Sequence, residues 1–369
     1  MINQIKTKRN SNIELLRIIA MLMIVFSHYA SHGSLYQSTD ITFVFNKILI
    51  DSMFLGNLGV AIFMTITGYF MSKVKFNINR IINLWMQTLF YSIIIFIVFC
   101  IIDRNNFSIG GAINSFLPVV RSNYWFVTAY IILCCFMPFL NKLFEVINRK
   151  QFLVLISLLV IIYFFLPTFI KFDFSRYAGR VTQFVAFYCL GAYIRYYPNN
   201  VFSNNKVSVG IVSLTGLGML STVILFDILS TRMEAFVGKN EYFYATFSVV
   251  QLFLALSMFT LALNLKAKYN NFVNAVGGCT FGVYLIHDNP FVRDWLWGNV
   301  FNNISYANSK FLILHMIASV LIVYVVCIMI EAIRKFVVEK YILKKPYELV
   351  YNLANNMSIY MQKKLQKFK

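Results

Sequence analysis

Residues 12–29 read Asn-Ile-Glu-Leu-Leu-Arg-Ile-Ile-Ala-Met-Leu-Met-Ile-Val-Phe-Ser-His-Tyr, an apolar run that carries one carboxylate, one guanidinium and one imidazole, at Glu14, Arg17 and His28. A helix crosses a bilayer in about 20 such residues. Ionisable groups inside a spanning helix are costly, so each is read as functional by default. Arg17 and His28 stand eleven residues apart, which on a helix is an advance of about 16 Å and a return to within about 20° of the same face. One face thus carries a cation near one end and an imidazole near the other. Glu14, three residues before Arg17, can pair with it. The plain alternative is that Glu14 and Arg17 snorkel to one interface while His28 sits at the other.

The rest of the chain repeats this composition. Of its 369 residues 59% are apolar and 13% charged, with a mean hydropathy of +0.68, whereas a soluble chain carries about a quarter charged residues. Ten spans can be drawn, at 13–31, 53–72, 81–102, 124–141, 152–170, 181–197, 207–229, 243–265, 272–288 and 311–332, each bounded by polar or Gly/Pro clusters. In lipid these must be helices. The expected fold is all-α and polytopic, and an even count places both termini on one side. Lys and Arg number 33 against 14 Asp and Glu, a net +19 that in a soluble protein would suggest nucleic acid. Here position decides. The termini and the loops on their side hold 22 of the cations and the opposite loops ten, so the termini are expected in the cytoplasm and no nucleic-acid partner is expected.

The first run lacks a small-x-small cleavage site and reads as a retained span. Cys100, Cys134, Cys135, Cys189, Cys279 and Cys327 fall in apolar stretches without paired spacing, as packing residues do. Residues 1–335 form the membrane domain and 336–369 a basic cytoplasmic tail. After Pro346, Leu349, Leu353, Met357, Tyr360, Met361, Leu365 and Phe368 share a helical face, with Lys363, Lys364 and Lys367 elsewhere. That pattern suits an interfacial helix on anionic lipid; a partly disordered basic tail is the alternative.

Arg17, ten intervening residues and His28 resemble the signature of the acyltransferase-3 family of integral membrane acyltransferases. Other segments are similar in the same order: Phe63-Met64-Thr65-Ile66-Thr67-Gly68-Tyr69-Phe70 to its Phe-rich, Ser/Thr-Gly-Tyr/Phe stretch, Phe76 to Arg80 to its Phe-x-x-x-Arg, Tyr124-Trp125-Phe126 to its Tyr-Trp-Phe, and Tyr284-Leu285-Ile286-His287 to its Tyr-Leu-x-His. Asn83 departs from the second Arg that members often carry. The resemblance covers residues 10–335. It implies an O-acyltransferase of the cell membrane that moves an acyl group, usually acetyl, from cytoplasmic acetyl-CoA to a hydroxyl of a cell-surface or capsular polysaccharide or its lipid-linked precursor. An Asn/Lys/Ile-rich chain is compatible with a low-GC bacterium.

Within that reading the catalytic candidates are His28, Glu14 and His287. His28 is the general base, because a partly buried imidazole stays neutral and can take a proton from an attacking hydroxyl. Arg17 and Arg80 are the candidates for the CoA phosphates, since guanidinium offers a fixed fork of donors, although positive-inside bias alone could place Arg80. Tyr124, Trp125 and Asp288 are candidates for the acceptor, Tyr124 and Trp125 being equally at home in an aromatic belt. No Gly-x-Ser-x-Gly elbow is present, so direct attack is favoured over an acyl-enzyme. His28, His32, His287 and His315 all fall near outer ends. Three imidazoles from different spans could hold a metal, but none is expected. The rival functions are a transporter or flippase of lipid-linked saccharide, against which stands the lack of two related halves, and a polysaccharide polymerase, which would need a larger outer loop.

Overall fold

The computed structural model describes residues 9–38, 41–170, 175–240, 242–243, 248–341 and 346–356, and among these all regular structure is helical. Seven helices of the described residues are long and apolar enough to cross a membrane: Ser11–Ser31, Val44–Met71, Ile78–Ile102, Trp125–Val146, Arg149–Ile170, Asn205–Ser230 and Leu312–Tyr341. The other three spans drawn from sequence also fall on helices. Ser175–Tyr196 is diluted by Arg180, Gln183 and Arg195, and Val249–Asn264 has only 16 residues. The span drawn at 272–288 is two short helices, Asn271–Gly277 and Thr280–His287, broken at Gly278 and Cys279. Residues 346–356 are helical and expose Leu349 and Leu353. Met357, Tyr360, Met361, Lys363, Lys364, Leu365, Lys367 and Phe368 of the expected interfacial face lie outside the described residues.

We label α1 (Ser11–Ser31), α2 (Gly56–Met71), α3 (Ile78–Ile102), α4 (Trp125–Val146), α5 (Ser175–Tyr196), α6 (Thr280–His287) and α7 (Leu312–Ile333). The Asn10 side chain caps α1 by accepting from the Asn12 N–H, and Asn77 does the same for α3 through Asn79. α2 is gripped from both sides through small residues. A Cβ at Gly59 would run into the Ala20 carbonyl of α1, one at Gly68 into the Tyr188 carbonyl of α5, and one at Gly191 into the Thr65 carbonyl of α2. Close backbone approach of this kind is how helices gain contact where lipid is as apolar as Leu.

Hydrogen bonds gather the chain's turns at two opposite ends. At one, Ser11 Oγ meets Asn274 Oδ1 at 2.8 Å, Asn141 Nδ2 donates to the Met71 carbonyl at 2.9 Å and Asn264 Nδ2 to the Phe202 carbonyl at 2.9 Å. At the other, Asn46 Nδ2 donates to the Ala307 carbonyl at 2.9 Å and the Val249 N–H to Thr168 Oγ1 at 3.0 Å. Near the Ser11 end Glu331 is buried, yet fully served: Arg334 grips both its oxygens at 2.8 Å, Tyr91 Oη donates at 2.6 Å and Gln87 Nε2 at 3.1 Å. Such saturation is what makes a buried ion pair tolerable.

Candidate functional site

His28 lies in the last turn of α1, and His287 is the final residue of α6, which starts after the break at Gly278 and Cys279 and is capped by Asp288. His287 is wholly buried, and its Nδ1 lies 2.6 Å from the Val283 carbonyl. A carbonyl only accepts, so Nδ1 carries the proton and the neutral ring keeps its lone pair on Nε2. That Nε2 is 2.9 Å from His28 Nδ1. His28 therefore donates through Nδ1, which leaves its own Nε2 as the basic nitrogen. Asp288, the C-cap of α6, places Oδ1 3.6 Å from His28 Nδ1 and 3.1 Å from His32 Nε2. The His28 and His32 side chains are 16% and 24% exposed and that of Asp288 5%, so the cluster opens outward through its imidazoles.

Tyr124 is buried at the start of α4. Its hydroxyl donates to the Leu285 carbonyl at 3.0 Å and accepts from Asn289 Nδ2 at 2.7 Å, which pins the chain on both sides of His287 and Asp288. That hydroxyl thus serves the backbone of the site. Trp125 is half-buried, packs at a tilt against Phe184 and lies 3.9 Å beneath the Arg180 guanidinium. His315 stands apart from the His28 group: its Nδ1 is 2.8 Å from Tyr29 Oη and its ring stacks on Tyr306 at 3.7 Å.

Glu14 and Arg17 lie at the other end of α1, paired at 3.2 Å. Fourteen residues separate Glu14 from His28, about 21 Å along the helix, so the structure does not bring Glu14 together with His28 and His287. Glu14 is instead held against Gly277, where a Cβ would meet its Oε2 at 2.6 Å. Arg17 and Arg80 do share a region, both being within electrostatic reach of the Tyr130 hydroxyl. Beside it a shallow, open cleft lies between the Met71–Arg80 turn and α4, lined by Lys75, Arg80, Cys134, Pro138 and Asn141. Arg80 is exposed and has no carboxylate partner among the described residues.

Sequence pattern alone places His32 only among the outer-end imidazoles and assigns no role to Asn289. His32 is one helical turn beyond His28, a spacing that puts both on one face, and Asn289 adjoins Asp288; those signals could have found them. His28, His32 and Asp288 also offer three ligand atoms within 4.8 Å of one another. This set differs from the three imidazoles on separate spans, because His315 is not in it. A family model described as an acyltransferase domain matches residues 10–332 of the chain. No curated protein and no solved structure matches it.

Proposed function

The chain belongs to the acyltransferase-3 family, and from that membership we propose that this membrane acyltransferase takes acetyl from cytoplasmic acetyl-CoA and passes it to a hydroxyl of a cell-surface or capsular polysaccharide or its lipid-linked precursor. The observation that carries the reading is the chain Val283 carbonyl, His287, His28, with its 2.6 Å and 2.9 Å links. It leaves His28 Nε2 free to accept the proton of an acceptor hydroxyl as that oxygen bonds to the thioester carbonyl carbon. The carbon–sulfur bond then breaks, and the CoA sulfur leaves with the proton that the imidazolium returns. Asp288, 3.6 Å from His28, stabilises the imidazolium in between.

On the donor side Arg17, Arg80 and Lys75 supply the cations for CoA phosphates. Arg17 is eleven residues from His28, about 16 Å along the helix, a gap suited to an extended pantetheine arm. Support for termini in the cytoplasm comes from the 22 to ten distribution of cations. Support for ten crossings comes from the two sets of turn contacts, which alternate along the chain as ten spans require.

The test is transfer of radiolabelled acetyl from acetyl-CoA to membrane glycan in vesicles carrying the chain. His28→Ala is expected to lose about a hundredfold to ten-thousandfold in rate while inserting normally. Full transfer by a normally inserted His28→Ala protein would remove the base from the mechanism, and no transfer by the wild type would favour a carrier.

A further inference from the structure

We infer that a transition-metal dication of the zinc type binds at His28, His32 and Asp288 and holds the enzyme inactive. Two neutral imidazoles and one carboxylate are donors that zinc prefers, and calcium or magnesium would require more oxygens than the site offers. Zinc keeps N and O ligands about 2.0–2.2 Å away in a tetrahedron, so neighbouring ligand atoms stand about 3.4 Å apart. Two of the three separations bracket that value, at 3.1 Å from His32 Nε2 to Asp288 Oδ1 and 3.6 Å from His28 Nδ1 to the same oxygen, and closing the gap between the two imidazoles takes a side-chain rotation. All three ligand atoms lie within 4.8 Å. The two imidazoles are partly exposed, which gives an ion a way in and leaves a fourth position for water.

Occupancy and catalysis exclude each other. A metal on His28 Nδ1 needs the lone pair of that nitrogen, so the ring proton moves to Nε2 with no net release. His28 Nε2 then donates instead of accepting, and His287 Nε2 loses its hydrogen-bond donor. The inhibitory half of this inference rests on the acyltransferase reading; the binding half does not.

The full chain in lipid nanodiscs, stripped with a chelator, is titrated with Zn²⁺ by calorimetry and with Co²⁺ by visible absorption. One equivalent is expected to bind, with the intense bands of a four-coordinate cobalt site. His32→Ala is expected to weaken binding at least about tenfold, whereas His315→Ala, outside the cluster, should bind as the wild type does. Absence of a stoichiometric site in the wild type overturns the inference without reliance on any variant, and so does His32→Ala binding at wild-type strength. Acetyl-CoA turnover should fall as zinc saturates the site and return on chelation. Turnover that persists at saturation overturns the inhibitory half alone, and absent turnover in metal-free protein overturns the acyltransferase reading together with that half.

Discussion

His28 depends as a base on what stands behind it. Without an acceptor at Nδ1 the imidazole could place its proton on either nitrogen, and only one of the two tautomers offers Nε2 to a hydroxyl. His287→Ala removes that acceptor, so turnover should fall, though by less than the roughly hundredfold to ten-thousandfold expected of losing the base itself. His287→Gln, whose amide oxygen can accept from Nδ1, should recover part of the loss, with the KM for acetyl-CoA unchanged throughout. Wild-type turnover in His287→Ala would end the positioning role. At the opposite end, Arg80→Ala should raise the KM for acetyl-CoA with little change in kcat, because a cation on a remote phosphate binds ground state and transition state alike; an unchanged KM would return Arg80 to plain topological bias. The sequence made His28 and His287 legible through spacing and motif. Glu14 pairs with Arg17 as its spacing implies, and the rise of the fourteen residues to His28, about 21 Å, keeps it from the imidazoles. The approach of Asp288 to His32 was not legible, since it depends on how α6 is rotated against α1, and one chain's pattern does not encode that angle.

Among the helices, backbone proximity sets the tolerance to change. Gly191 of α5 faces the Thr65 carbonyl so closely that a methyl must push the helices apart, while Gly216, in Asn205–Ser230, has nothing within 4 Å of an added Cβ. Gly191→Ala should therefore cost about 1–3 kcal/mol, as overpacking does. Gly216→Ala should be neutral or stabilising by up to about 1 kcal/mol from helix propensity. Thermal unfolding of the detergent-solubilised chain distinguishes them, and equal melting temperatures would refute the contact. The spans themselves were readable because a bilayer demands apolar runs near 20 residues, and soluble folds rarely supply them. Apolar content on both sides makes Asn271–Gly277 and Thr280–His287 read as one span, and Gly277-Gly278 is the sequence signal of the break. The end of α6 at His287 is set at its other terminus, where Asp288 forms the C-cap and Asn289-Pro290 opens the next helix.

For the whole molecule, direction across the bilayer decides which compartment the acceptor occupies. The cation distribution, 22 against ten, argues for the Ser11 end and its cleft in the cytoplasm with the donor, and the His28 end outside with the glycan. The structure also shows where a chemical probe is informative. Ser11 is buried and bonded to Asn274, so a thiol there would stay silent on either side. Gln37 and Asn105 are exposed at the His28 end, and Lys150 and Asn204 at the Ser11 end. With the six native cysteines replaced, Gln37→Cys and Asn105→Cys should react with an impermeant maleimide added to intact cells, whereas Lys150→Cys and Asn204→Cys should react only after lysis. The opposite pattern would invert the chain and put His28 beside the cytoplasm. Acetyl-CoA would then have to enter from the imidazole end, Arg17 and Arg80 would face away from it, and an intracellular hydroxyl would become the better acceptor. A mixed pattern, with Gln37 and Asn105 on different sides, would break the alternation that ten crossings require, and would place the miscounted crossing between α1 and the end of α3.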